Sequence, residues 1–164
     1  SFRAVSLPFL PNSFYNKIVP GKRQTFCVER PAAPPGARGK VGEMRFAVCG
    51  GSPNETRELC DWIGRCCAQE GLAAECLPFK NLEEFWAAFR PGRFQAVFVG
   101  AGGAQGFLTA RRLREEDRAC QVVLIDDSDR YIMHSYRIHT AGFVVRPLSR
   151  GRVEQCVRRL LCRP

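Results

Sequence analysis

Histidine, CxxC cysteine pairs and long apolar runs are scarce or missing, and each absence excludes a class of protein. The two histidines, His134 and His139, are five residues apart, so they do not share a helix face as a zinc-binding pair would. Without a CxxC pair the sequence has no zinc-ribbon or thioredoxin-like motif. The longest apolar stretch, Ala96 to Ala104, is far too short to span a bilayer. We therefore expect no bound metal and no membrane contact.

Cysteine, by contrast, is abundant, with nine residues in a chain of 164. Their spacing argues against a disulfide scaffold, because Cys60, Cys66 and Cys67 fall on one predicted helix and Cys156 and Cys162 on another. We expect most of these thiols to pack as small hydrophobic groups in a reducing cytoplasm. The N-terminal apolar run is interrupted by proline and lacks a clean cleavage site, which argues against a signal peptide. These features predict a cytoplasmic protein.

Residues 1–43 differ in composition from residues 44–164. The first segment holds six prolines and little periodicity, as an irregular extension or linker does. Met44 opens a regular pattern, and we expect the folded unit and the natural start codon there. The alternative is an N-terminal arm that docks on the domain.

From Met44 onward, five strand-like runs alternate with five helix-like segments. The predicted strands are Arg45–Cys49, Ala73–Leu77, Ala96–Val99, Val122–Ile125 and Phe143–Val145. The predicted helices run from a Ser52–Glu55 capping box to Gly71, from Asn81 to Pro91, from Phe107 to Glu116, from Asp129 to His139, and from Ser149 to the C-terminus. Such alternation favours an α/β fold with a doubly wound, five-stranded parallel sheet of order 2-1-3-4-5, as in flavodoxin-like proteins. Ligand sites in such sheets lie beyond the carboxyl ends of the strands.

The segment from Asp129 to Leu148 is the most distinctive part of this pattern. It is similar to the stretch of bacterial response regulators that runs through the fourth helix and fifth strand to Lys-Pro, where this chain has Arg146-Pro147. With the short strand after Met44, it makes residues 44–162 resemble a CheY-like receiver domain of the LytTR regulator subgroup. The resemblance implies a two-component signalling protein involved in phosphorelay and transcription regulation.

The resemblance places the functional positions of the receiver family on residues with different chemistry. The metal-binding acidic pair maps to Gly50 and Gly51, and the phosphoacceptor maps to Gly100, so none of the three supplies a carboxylate. Three switch positions keep a side chain of altered type: Asp126 for Ser/Thr, Phe143 for the aromatic residue, and Arg146 for lysine. We expect neither Mg²⁺ binding nor phosphotransfer, and no enzymatic activity. We also expect Asp126 to pair with Arg146 across the vacated pocket.

A second hypothesis comes from the glycine-rich loop, Gly100–Gly106. It follows a strand, opens a helix and lies 20 residues before Asp126, as in Rossmann-like nucleotide-binding domains. The strict GxGxxG pattern fails, since the third glycine position holds Gln105. A receiver domain with a shortened, glycine-filled loop is the favoured interpretation.

The net charge of +9 and an arginine-rich last helix raise the question of partners. No nucleic-acid recognition motif is present, so a solvated helix face or a dimer interface explains these arginines better. We expect a pseudo-receiver domain that signals by phosphorylation-independent dimerisation or by binding another protein. The resemblance implies a homodimer through the face that the family builds from its fourth helix, fifth strand and fifth helix. It also implies a DNA-binding output domain after residue 164; the alternative is a stand-alone module.

Overall fold

The computed structural model describes residues 43–162, which alternate strand and helix five times. The strands are β1 (Glu43–Cys49), β2 (Ala73–Phe79), β3 (Ala96–Val99), β4 (Gln121–Asp126) and β5 (Gly142–Val145). The helices are α1 (Pro53–Gln69), α2 (Leu82–Ala88), α3 (Gly103–Glu116), α4 (Ile132–Arg137) and α5 (Arg150–Leu161). The irregular extension predicted for the N-terminal segment lies, except for Glu43, outside the described residues.

All five strands are parallel and hydrogen-bonded in the order β2-β1-β3-β4-β5. The predicted flavodoxin-like fold is therefore confirmed. Cys49 pairs with Val99, and Asp126 pairs with Val145, so the carboxyl ends of the strands meet along one edge of the sheet. This edge and the loops that leave it carry Gly50, Gly51, Gly100, Asp126 and Arg146, whereas Phe143 lies within β5.

The sheet separates two apolar cores, and successive residues of one strand enter different cores. Phe46 and Val48 of β1 face the core covered by α1 and α5, whereas Ala47 and Cys49 face the core covered by α2 and α3. This alternation follows from the two-residue period of a strand. Burial on both faces explains why the central strands read as continuous apolar runs.

Helix α3 begins at Gly103, four residues before the predicted start. The stretch predicted as a loop therefore contributes its second half to the helix. Glycine is a poor helix former, which is why the sequence favoured a loop. Gly102 and Gly103, with φ of 71° and 53°, both adopt the left-handed conformation at the helix entrance, which glycine allows.

Helix α4 is shorter than the predicted Asp129–His139 segment. The residue at its N-cap, Tyr131, makes no capping hydrogen bond through its side chain, and His139 leaves the helical conformation with φ of 55°. Tyr136 is 53% exposed. Only Ser135 of this helix is fully buried.

The cysteines largely follow the prediction. Eight lie in the part of the chain that the structure describes, and five of those are buried in the two cores: Cys49, Cys66, Cys67, Cys120 and Cys156. None of the eight forms a disulfide. Between residues 43 and 162, no helix is both long and apolar enough to cross a bilayer.

Candidate functional site

The loops after β1 and β3 touch each other at the carboxyl edge of the sheet. The Gly100 N–H donates to the Cys49 carbonyl at 2.7 Å. Gly50 has φ of 81°, and a Cβ at this position would lie 2.7 Å from the backbone nitrogen of Ala101. An acidic side chain at position 50 therefore has no room, since backbone atoms stand where its Cβ would be. Gly50 and Gly100 therefore allow the backbones of the two loops to lie in contact.

The guanidinium group of Arg146 lies at the centre of this edge. Its Nε and Nη2 atoms donate to the two carboxylate oxygens of Glu55, each at 2.7 Å, and Nη2 also donates to the Gly100 carbonyl at 2.7 Å. The two side chains are only 20% and 17% exposed. This is a bidentate, charge-assisted pair, the strongest hydrogen-bonding geometry available to arginine and a carboxylate.

Glu55 was missed as a site residue because the sequence placed it in a capping box. The Ser52 hydroxyl does accept from the Glu55 N–H at 3.2 Å, as in a cap. The Glu55 side chain, however, pairs with Arg146, 91 residues away along the chain. No linear spacing could have indicated that partner.

The Glu55 carboxylate occupies the space beside Gly51. A Cβ at Gly51 would lie 2.7 Å from Glu55 Oε1. A carboxylate is therefore present near the position that the resemblance assigns to metal binding, but it comes from helix α1 and is neutralised by Arg146. Absence of a side chain at Gly51 is what lets this pair form.

The predicted ion pair between Asp126 and Arg146 is wrong. Asp126 is 6% exposed, and its Oδ2 accepts from the Gly103 N–H at 2.9 Å while Oδ1 accepts from the Asp127 N–H at 2.7 Å. Both oxygens are satisfied by adjacent backbone groups, so the carboxylate caps helix α3. A negative charge is favoured there by the helix dipole.

Asp127 is the second acidic partner of Arg146, at 3.3 Å from Nη1. Its side chain is 79% exposed, so this contact contributes little compared with the Glu55 pair. The hydrogen bonds to Glu55, and secondarily the charges of both acids, raise the pKa of Arg146 above its usual value despite partial burial. Arg146 is thus a fixed cation.

Phe143 lies apart from this network. It is half-buried on β5 and packs against the core covered by α2 and α3. The structure therefore brings Gly50, Gly51, Gly100 and Arg146 together, places Asp126 beside them as a helix cap, and leaves Phe143 packed against the apolar core. Its predicted role as a switch residue stays a prediction.

The chemistry available at this edge is limited by charge pairing. Within residues 43–162, no group of three or more His, Cys, Asp or Glu side chains could hold a metal ion. An open groove next to the pair is lined by Ser52, Asn54, Glu55, Glu58, Asp127, Arg146, Pro147 and Leu148. Arg146 is the only basic side chain among these, and three carboxylates accompany it.

No protein-family model matches this sequence, and no curated protein does either. The solved structures that it resembles include a response regulator from Thermotoga maritima, with 17% identity and a TM-score of 0.59. The match covers 74% of this chain and 99% of that protein's chain. The non-phosphorylated HemR receiver domain from Leptospira biflexa (15% identity, TM-score 0.57) is 98% covered by 74% of this chain. An orphan response regulator of H. pylori (18% identity, TM-score 0.53) is 98% covered by 73% of this chain. At these identities the likeness shows a common fold, that of response regulator receiver domains.

Proposed function

We propose that residues 43–162 form a pseudo-receiver domain of a cytoplasmic response regulator, which signals without phosphorylation. The observation that carries this proposal is the bidentate pair between Arg146 and Glu55. It stands at the carboxyl edge of a receiver-fold sheet, where the resemblance expects a phosphoacceptor and a metal. The LytTR subgroup and a role in transcription regulation belong to the same proposal.

Phosphoryl transfer at such a site needs oxygen ligands for Mg²⁺ and a cation to balance the phosphoryl oxygens. Gly50, Gly51 and Gly100 offer no side-chain oxygen, and the cation already has a partner. A phosphoryl group that took the bidentate position on Arg146 would have to displace the Glu55 carboxylate, which would leave that acid partly buried without its partner. Removing one member of a buried pair is strongly unfavourable. The internal pair thus takes the place of metal and phosphate together.

The proposed output is a homodimer through α4, β5 and α5. Helix α4 presents Met133 and Tyr136, which are 69% and 53% exposed. Large exposed apolar side chains on one short helix are suited to a protein contact. A fixed Arg146–Glu55 pair would hold β5 in one arrangement, so dimerisation would not depend on a phosphorylation state.

Nucleotide binding at the glycine-rich segment is not favoured. The helix N-terminus that would receive a pyrophosphate in a Rossmann-like domain already accommodates the Asp126 carboxylate, which accepts from the Gly103 N–H. A bound phosphate would meet this charge at short range. The strand order also differs from that of a dinucleotide-binding sheet.

The test is incubation with acetyl phosphate and Mg²⁺, followed by intact-mass spectrometry. We expect no phosphorylated species, whereas a receiver with an intact acidic site, treated in parallel, is phosphorylated. A hydroxylamine-sensitive adduct on this protein would overturn the proposal. Asp126→Asn and Asp127→Asn variants would then identify which remaining carboxylate had reacted.

A further inference from the structure

Two cysteines that the candidate site does not use lie in contact where α1 packs against β2. Cys60 of α1 and Cys76 of β2 have their sulfur atoms 2.9 Å apart. A disulfide has an S–S distance of about 2.05 Å, so an approach of less than about 1 Å would join them. Both side chains are half-buried, unlike the five buried core thiols.

The pair opens into a groove of about 400 Å³ between α1 and the edge strand β2. Arg57 and Lys80 line the groove together with two acids, Asp61 and Glu84, and neither base forms an ion pair within the described residues. A small polar molecule can therefore reach the thiols from solvent. None of the other described cysteines lines this groove.

We propose that Cys60 and Cys76 form a reactive dithiol site that exchanges with low-molecular-weight disulfides to give an intramolecular disulfide. This inference goes beyond the pseudo-receiver proposal and does not depend on it. The two proposals rest on different residues. The pseudo-receiver proposal concerns Arg146 and Glu55, and the dithiol proposal concerns two thiols outside that ion-pair network.

The chemistry assigns different roles to the two sulfurs. The Cys76 thiol donates a hydrogen bond to Cys60, which lowers the pKa of Cys60, while the same bond and burial raise the pKa of Cys76. The thiolate is the nucleophile in disulfide exchange, so Cys60 attacks first. It displaces one thiolate from the small disulfide, which takes up a proton, and forms a mixed disulfide.

In the second step Cys76 loses its proton and attacks the Cys60 sulfur. The second small thiol leaves, and the Cys60–Cys76 bond forms. The protein loses two electrons and two protons, and one small disulfide becomes two thiols. In a reducing cell such disulfides are transient and serve sensing rather than stability.

The cross-link would tie α1 to the edge of the sheet. Cys60 lies little more than one helical turn after Glu55, so the disulfide would restrain the helix that carries the partner of Arg146. A 16-residue separation between the cysteines makes a loop whose closure stabilises the folded chain. We expect oxidation to raise Tm by on the order of 10 °C.

The experiment is a titration of the reduced full chain with oxidised glutathione, followed by alkylation and tryptic mapping. Trypsin cleaves after Arg65, which separates residues 58–65 from residues 66–80. We expect a disulfide-linked pair of these peptides in monomeric protein, reversed by dithiothreitol. Because the second peptide also holds Cys66 and Cys67, fragmentation must place the bond on Cys76.

Two single variants separate the roles of the sulfurs. Cys76→Ser should trap Cys60 as a stable mixed disulfide with glutathione, whereas Cys60→Ser should leave Cys76 unmodified. The proposal is overturned if both thiols are recovered alkylated after oxidation, if the bond forms to Cys66 or Cys67, or if oxidation gives only dimers linked through the exposed Cys162. Equal labelling of the two variants would overturn the assigned order of attack.

Discussion

The carboxyl edge of the sheet and the apolar cores beneath it follow from different features of the sequence. In the cores, neighbouring residues such as Phe98 and Val97 pack on opposite faces because a strand alternates. At the edge, Arg146 and Glu55 meet across 91 residues, and no repeating pattern connects them. Local periodicity therefore specifies the scaffold, whereas long-range charge pairing specifies the site.

The largest expected effect lies in the core. Phe98 is fully buried beside Phe46, with ring centroids 6.5 Å apart. Phe98→Ala should lower the free energy of unfolding by about 4 kcal/mol, because it leaves a cavity in close-packed surroundings. Urea denaturation measures the loss. The matched Phe98→Leu variant should lose clearly less, and equal losses would show that this core is loosely packed.

The second effect is at the edge. Arg146→Met removes the cation and leaves the Glu55 carboxylate without its partner in a site that is 17% exposed. We expect a loss of about 2 kcal/mol, less than for a fully buried pair because water reaches both groups. Arg146→Lys keeps the charge but not the bidentate geometry, so it should lose less of the free energy of unfolding than Arg146→Met does. A loss below about 0.5 kcal/mol in Arg146→Met would place the pair among ordinary surface contacts.

A smaller effect concerns the helix cap supplied by Asp126. Asp126→Ala removes the acceptor for the Gly103 N–H and should cost about 1 kcal/mol. Amide hydrogen exchange should quicken in the first turn of α3 and remain unchanged in α5. If exchange quickened instead around Arg146, the carboxylate would be acting in the charge network after all.

The smallest effect is expected for ion pairs on the outer face of α3. Arg111 and Glu115 lie 3.0 Å apart, but their side chains are 60% and 63% exposed. Arg111→Ala should change the free energy of unfolding by less than about 0.5 kcal/mol. A change as large as that of Arg146→Met would remove the distinction between the edge and the surface.

The sequence predicted the strands because apolar runs and turn residues are local signals, and it predicted the sheet order because five alternating strand–helix units favour a flavodoxin-like fold. The predicted start of α3 was too late, because Gly103 and Gly106 are poor helix formers and favour a loop. In the structure the Asp126 carboxylate, at the end of β4, caps the helix at Gly103. The prediction from sequence also paired Asp126 with Arg146, although nearby N–H groups already satisfy that carboxylate. Glu55 was recognised only as a capping residue, because its partner is set by the fold.

A double-mutant cycle between Glu55 and Arg146 tests the proposed role of their ion pair most directly. Unfolding free energies of the wild type, Glu55→Gln, Arg146→Met and the double variant give the coupling energy between the two side chains. The bidentate, largely buried geometry predicts a coupling of about 1.5 to 2 kcal/mol. A coupling below about 0.3 kcal/mol would contradict the claim that an internal ion pair has replaced metal and phosphate at this edge.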